Sequence, residues 1–261
     1  IMREDSDMGT HMEMWISAED NVEMRKVTLM NKKSTPVNIE ITSYAELAMM
    51  EQNADLSHPA FNNLFISTEY DEETESLMAV KKSREASDQE LHVFKTFSTT
   101  SNEFKNIQFE TNRNSFIGRG RSLSNPVALD KFLDNTEGVV LEPILSLRNS
   151  VRIEGHQKVQ ITYSMGVAKN KIEIKKLINK YRNPSIVKEQ LELSQIQAQV
   201  EMSYLDLEIN ELELYQAMIS QLIYLSPNRR KNSKRISENK LGQKELWKYG
   251  ISGDNPIILY N

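Results

Sequence analysis

The strongest constraint on this chain is a period-two alternation of apolar and polar residues. Val37, Ile39, Ile41, Ser43, Ala45 and Leu47 fill one phase, and Asn38, Glu40, Thr42, Tyr44 and Glu46 fill the other. Successive side chains of a strand point to opposite faces, so this spacing predicts a half-buried strand with one side on a core. Val159, Ile161, Tyr163, Met165 and Val167 repeat the pattern just after a turn at Gly155. Shorter candidates lie between them at Val22–Met30, Leu64–Tyr70, Ser76–Lys82, Leu91–Ser98 and Lys105–Thr111, separated by Asn, Ser, Pro and acidic clusters of turn chemistry. Many short strands with no helices between them point to a large antiparallel β-sandwich over residues 1–168 rather than a βαβ sheet.

After Ala168 the period changes. Ile174, Leu177, Ile178 and Tyr181 stand at helical spacing, and Asn183-Pro184 ends that helix or starts the next. Leu205, Ile209, Leu212, Tyr215, Met218, Ile219, Leu222 and Ile223 form one broad stripe, closed by Ser226-Pro227. Residues 169–227 are thus expected to hold two or three helices, the last amphipathic, with its stripe in a core or against a partner. Residues 228–261 open on a basic run, Arg229-Arg230-Lys231 with Lys234-Arg235. Polar helix-breaking neighbours make a solvated linker the expectation there, against phosphate or nucleic-acid contact.

Composition excludes several chemistries. The chain has no cysteine, which removes disulfide frameworks, thiolate zinc sites and thiol nucleophiles. The formal net charge of −5 argues against a dedicated nucleic-acid partner. No apolar run reaches the ~20 residues of a membrane helix, so no membrane contact is expected from this chain. The four histidines, His11, His58, His92 and His156, stand singly, without a second ligand at metal spacing. The acidic run Asp71-Glu72-Glu73-Thr74-Glu75 lacks the spaced ligands and Gly of a calcium loop and reads as a hairpin tip. No catalytic residue, cofactor site or metal site is assigned.

Two segments are specified beyond folding needs. In Asn112-Arg113-Asn114-Ser115-Phe116-Ile117-Gly118-Arg119-Gly120-Arg121, glycines alternate with arginines. That order predicts a flexible loop carrying fork-like donors, Arg119 and Arg121, suited to carboxylate, phosphate or sugar hydroxyls, or else a plain surface loop pinned by Phe116 and Ile117. In Glu245-Leu246-Trp247-Lys248-Tyr249-Gly250-Ile251-Ser252-Gly253-Asp254, Trp247 offers a stacking face for a sugar ring and Asp254 a carboxylate acceptor. The plainer reading is a turn in which Asp254 caps the next element and Trp247 packs.

An ordered series of segments carries a family resemblance along the whole length. It comprises Asp20–Leu29, Thr42-Ser43-Tyr44-Ala45-Glu46, His58-Pro59-Ala60-Phe61, Leu64–Glu69, Phe116–Arg121, Gly138–Pro143 and Leu246–Ile257. The chain resembles the N-terminal β-sandwich and helical linker of glycoside hydrolase family 94, formerly glycosyltransferase family 36, in the branch of cyclic β-1,2-glucan synthases and 1,2-β-oligoglucan phosphorylases. The resemblance implies an (α/α)6 barrel beyond Asn261 that holds a catalytic Asp, with inorganic phosphate as the co-substrate of the full-length enzyme. That Asp would protonate the glycosidic oxygen while phosphate attacks the anomeric carbon with inversion.

On this reading the chain is a non-catalytic fragment, and residues 228–261 lead into the barrel. The stripe from Leu205 to Ile223 becomes a linker helix with a partly uncovered face. Trp247 and Asp254 become candidates for a glucan-facing edge. The resemblance also implies a cytoplasmic location, alone or as the cytoplasmic part of a membrane-bound synthase. It further implies a homodimer in which Arg119 and Arg121 approach the other subunit's active site. The alternative is an independent carbohydrate-binding or structural sandwich.

Overall fold

Strands come first along the chain, and the two-residue period explains how they stack. The computed structural model describes residues 1–50, 52–82, 90–101, 104–223, 233–238, 240–242 and 244–251. The strands are β1 (Met2–Glu4), β2 (Met8–Ile16), β3 (Val22–Asn31), β4 (Val37–Thr42), β5 (Ala45–Glu46), β6 (Ile66–Asp71), β7 (Ser76–Lys81), β8 (Leu91–Thr99), β9 (Phe104–Asn112), β10 (Gly138–Val139), β11 (Pro143–Ile153) and β12 (Lys158–Ala168). Eight form one antiparallel sheet in the order β1-β2-β3-β12-β8-β7-β6-β10. The smaller sheet centres on β11, which pairs with β4 and β5 and with β9, all antiparallel.

The two sheets face each other across one apolar layer. Leu77, Val93, Phe97, Ile161 and Tyr163 of the larger sheet meet Phe109, Leu145 and Leu147 of the smaller. The strand centred on Ile161 is buried on both faces, because its other phase lies under helices. This is the mainly β, antiparallel sandwich with a helical region that the alternation predicts.

Helices cover the larger sheet's outer face. In α4 (Lys171–Tyr181) the Asn170 side chain accepts from the Glu173 N–H at 2.9 Å, and the Glu173 carboxylate accepts from the Lys169 N–H. Ile174, Ile178 and Tyr181 then fall on one stripe and bury against Val22, Met24 and Phe94, joined by Val187 of α5 (Pro184–Tyr204). A polar knot locks this corner. Tyr181 Oη donates to Asp20 Oδ2 at 2.8 Å and lies 2.8 Å from Ser17 Oγ, and Ser17 Oγ donates to Gln190 Oε1 at 2.6 Å. Lys180 Nζ donates to Asp20 Oδ2 at 2.7 Å and Glu19 Oε2 at 2.9 Å. The helices are therefore part of the sandwich's packing, and the first compact unit runs from Ile1 to Glu201.

Two differences from the sequence reading stand out. Short helices do interrupt the strands: α1 (Gln52–Ser57), α2 (Pro59–Asn63) and α3 (Arg113–Ile117). The run from Val37 to Leu47 is two strands, because Ser43 turns its hydroxyl into the ladder, donating to Leu147 O and accepting from Leu147 N. The second unit, Met202–Asn261, holds α6 (Ile209–Ile223), α7 (Ser233–Glu238) and α8 (Lys244–Trp247). There Leu205, Ile209, Tyr215 and Ile219 of the apolar stripe are exposed, the uncovered face expected of a linker helix rather than a core stripe. Asp71–Ser76 is the β6–β7 hairpin tip, where the Asp71 carboxylate accepts from the N–H groups of Glu73 and Thr74.

Candidate functional site

The arginine-glycine segment sits on the smaller sheet, and its conformation follows from a few local rules. Asn112 ends β9 and caps α3, its side chain accepting from the Asn114 N–H at 3.0 Å. Phe116 and Ile117 then enter a small core with Ala128, Leu133 and Ile144, and Tyr44 lies against Phe116 at 4.9 Å between ring centroids. Gly118 follows at φ +82°, and a Cβ there would stand 2.8 Å from Val127 Cγ1, so only glycine both turns the chain and admits Val127. Gly120 has φ +74° but open space around it.

Beneath the loop lies Arg148, 1% exposed, whose guanidinium donates to Thr42 Oγ1 at 2.9 Å, to Lys131 O at 2.9 Å and to Ala128 O. Gln108 Oε1 accepts from the Leu133 N–H at 2.9 Å, and Asn135 Oδ1 accepts from the Phe109 N–H at 2.9 Å. The segment is therefore pinned on both sides of Arg119, by Phe116 and Ile117 as in the plainer reading, and by the 3-10 turn at Val127–Leu129 and the bonds that reach Leu133 and Asn135.

The two arginines have different situations. Arg121 is held by Asp130 in an ion pair. Arg119, between the two positive-φ glycines, is exposed and has no hydrogen-bond or ion-pair partner among the described residues. Only Arg119 presents a free planar fork, able to take an oxyanion or a pair of sugar hydroxyls. Nearby, Arg113 donates to Glu46 at 2.8 Å and Glu142 at 3.2 Å, and Tyr44 Oη donates to Glu46 at 2.7 Å. The Tyr44 and Arg113 hydrogen bonds hold the Glu46 carboxyl below its ordinary value, while burial and that carboxylate push the Tyr44 hydroxyl up. The loop's carboxylates Glu46, Glu142 and Asp130 are thus committed to arginines.

Trp247 ends α8 and is 58% exposed, and Lys248 Nζ lies 5.2 Å from the Tyr249 ring centroid. Asp254 lies outside the described residues, as do residues 228–232 of the basic run. Arg119 and Arg121 belong to the first compact unit and Trp247 to the second. Among the described residues no group of three or more His, Asp or Glu is placed to hold a metal ion, and no helix is long and apolar enough to cross a membrane.

Sequence reasoning missed Lys95. It lies in the apolar phase of β8 between Val93 and Phe97, 4% exposed, and its Nζ donates to Leu145 O at 3.1 Å across the sheets. Burial pushes its amine down to about 7. A lysine in the inward phase of Leu91, Val93 and Phe97 was the available signal.

Two comparisons place the chain. A family model described as the glycosyl hydrolase 94 supersandwich domain matches residues 1–184. Over 254 residues the chain is 29% identical to the cyclic beta-(1,2)-glucan synthase NdvB of Rhizobium meliloti. That alignment covers 97% of this chain and 9% of the synthase, so the chain spans a small part of its relative's length.

Proposed function

The chain belongs to glycoside hydrolase family 94 through its supersandwich domain, and from that premise we propose that it is the non-catalytic N-terminal part of an enzyme acting on β-1,2-glucan. The observation that carries the linkage is the similarity along nearly the whole chain to a protein named for cyclic β-(1,2)-glucan synthesis. A positioning role also agrees with the arginine loop, whose carboxylates are engaged in ion pairs. In the full enzyme a barrel Asp would act as general acid and inorganic phosphate as nucleophile, or the same machinery would set chain length in cyclic glucan synthesis. The sandwich then serves as a platform. Arg119 reaches a neighbouring subunit's active site in a homodimer, Arg121 braces that loop, and Trp247 with Asp254 lines the approach to the barrel. The platform works in the cytoplasm, alone or as part of a membrane-bound synthase.

The test compares this chain with a protein extended through the barrel. With β-1,2-glucooligosaccharides and phosphate, the extended protein is expected to release glucose 1-phosphate and the chain alone none. Arg119→Ala in the extended protein is expected to raise KM and leave the dimer intact by sedimentation. An extended protein without phosphorolysis or cyclic-glucan activity on β-1,2-linked substrates overturns the linkage, and a monomeric one overturns the role of Arg119.

A further inference from the structure

The outer face of the larger sheet carries a polar row that packing does not account for. Glu13, Lys26, Thr162 and Ser98 are consecutive cross-strand neighbours on β2, β3, β12 and β8. Trp15 stands two residues beyond Glu13 on the same face. The α5 segment from Pro184 to Gln195 roofs this row and leaves a cleft of about 410 Å³, with Thr162 and Ser98 in its floor and Trp15 in its wall. That volume suits a small ligand, for which pockets of ~300–1,000 Å³ are usual.

Three groups in the lining are unpaired. Thr162, Ser98 and Trp15 are 6%, 5% and 8% exposed. Trp15 Nε1 is buried without a hydrogen-bond partner, and the two hydroxyls, which have none among the described residues, open on the cleft rather than being sealed from solvent. A buried donor or acceptor left unpaired costs stability, so such groups in a cleft mark where a ligand or ordered water completes the bonding. Charge at the rim cancels: Lys26 pairs with Glu13 at 2.6 Å and Lys188 with Glu192 at 3.8 Å. An anion or a cation would have to compete with these pairs. A hydroxyl-rich ring would not, because it offers hydrogen bonds to the floor and C–H groups to the small part of the indole that reaches the cleft.

We propose that this cleft between the larger sheet and α5 is a binding site for a neutral saccharide unit, separate from the Arg119 loop and from Trp247. The site goes beyond the function proposed above, since it needs neither the barrel nor a particular linkage. Its hydroxyls stand where the ligand's own hydroxyls displace ordered water.

The chain has two tryptophans, so Trp247→Phe leaves Trp15 as its sole indole. In that background, titration with glucose and with the β-1,2-linked glucose disaccharide is expected to move the Trp15 indole N–H resonance saturably. Ser98→Ala with Thr162→Val is expected to weaken binding by about tenfold. Gln195→Phe, at an exposed helix position, is expected to abolish it by closing the roof without touching the sheet. Absence of a saturable shift with either sugar overturns the proposal. So does unchanged affinity in both the floor and the roof variants, or a shift with sodium phosphate or acetate and none with sugars. The outcome is separable from that of the barrel-extended protein, because the indole shift is read on a chain without the barrel.

Discussion

Lys95→Met probes the inter-sheet core directly. The ordinary lysine value of 10.5 falls to about 7 in the folded chain, chiefly because burial disfavours the ammonium, with Arg25 adding to the effect and Glu23 opposing it. Between those values the unfolded chain binds a proton that the folded chain has released. Stability therefore rises with pH across that window, by up to about 1.4 kcal/mol per pH unit. Below pH 7 the full penalty of carrying a charge into the core is present, about 5 kcal/mol at that conversion. Methionine fills a similar volume without the charge but loses the bond to Leu145 O, worth about 1 kcal/mol, and fits less well by a similar amount.

The variant is thus expected to be more stable than the parent by about 3 kcal/mol near pH 6.5, with the two converging towards pH 9. Urea unfolding followed by circular dichroism over that range reads both midpoints, and the difference between the two profiles cancels every other titrating group. Parallel profiles, or a variant less stable at the acidic end, would refute the argument that desolvation of Lys95 sets the pH dependence.

Other perturbations separate the remaining claims. Gly118→Ala combines a positive φ with a clash on Val127 and is expected to cost about 2–4 kcal/mol, whereas Gly120→Ala, with open space, should cost about 1 kcal/mol. Thermal melting that ranks them in the opposite order contradicts the close approach to Val127. Arg148→Met strips the donors that hold the Ala128 and Lys131 carbonyls. It is expected to lower stability by about 3 kcal/mol and to speed proteolysis within residues 121–135, and unchanged cleavage would show that the loop holds itself. At Asp20 burial raises the carboxyl, but hydrogen bonds from Lys180 and Tyr181 outweigh it and hold it below 3.8. A depressed carboxylate stabilises above its unfolded value and loses that contribution as pH falls through the folded one. Asp20→Asn should therefore flatten the decline in melting temperature on the acid side below about pH 4, and an unaltered slope would remove Asp20 from the acid response.

How far local pattern reads this fold depends on burial. Along Val159–Val167 the period of two is plain because one phase faces the apolar inter-sheet layer. β11 escaped the sequence reading although it is the centre of the smaller sheet. Pro143–Val151 is almost wholly buried on both faces and includes Ser146, Arg148 and Asn149, so no alternation survives. β2 was missed for the opposite reason, since Met8–Ile16 is mostly half-exposed and is held by pairing to β3. The arginine loop was legible as residue types, but which arginine is free was not.

Periodicity and the ordered series of segments were enough, without coordinates, to assign an antiparallel sandwich and its family, because both are written in neighbouring residues. The state of the charged and polar groups that bear on a site was decided by what the fold brings against them. Arg121 is neutralised by Asp130, and Arg148 is spent on carbonyls. Lys95 meets the carbonyl of a residue fifty positions along the chain. Thr162 and Ser98 become a cleft floor only because β12 and β8 lie side by side beneath α5. Desolvation and pairing depend on what the fold brings near a group, and that neighbour is set by the packing of two sheets and a helix rather than by adjacent sequence.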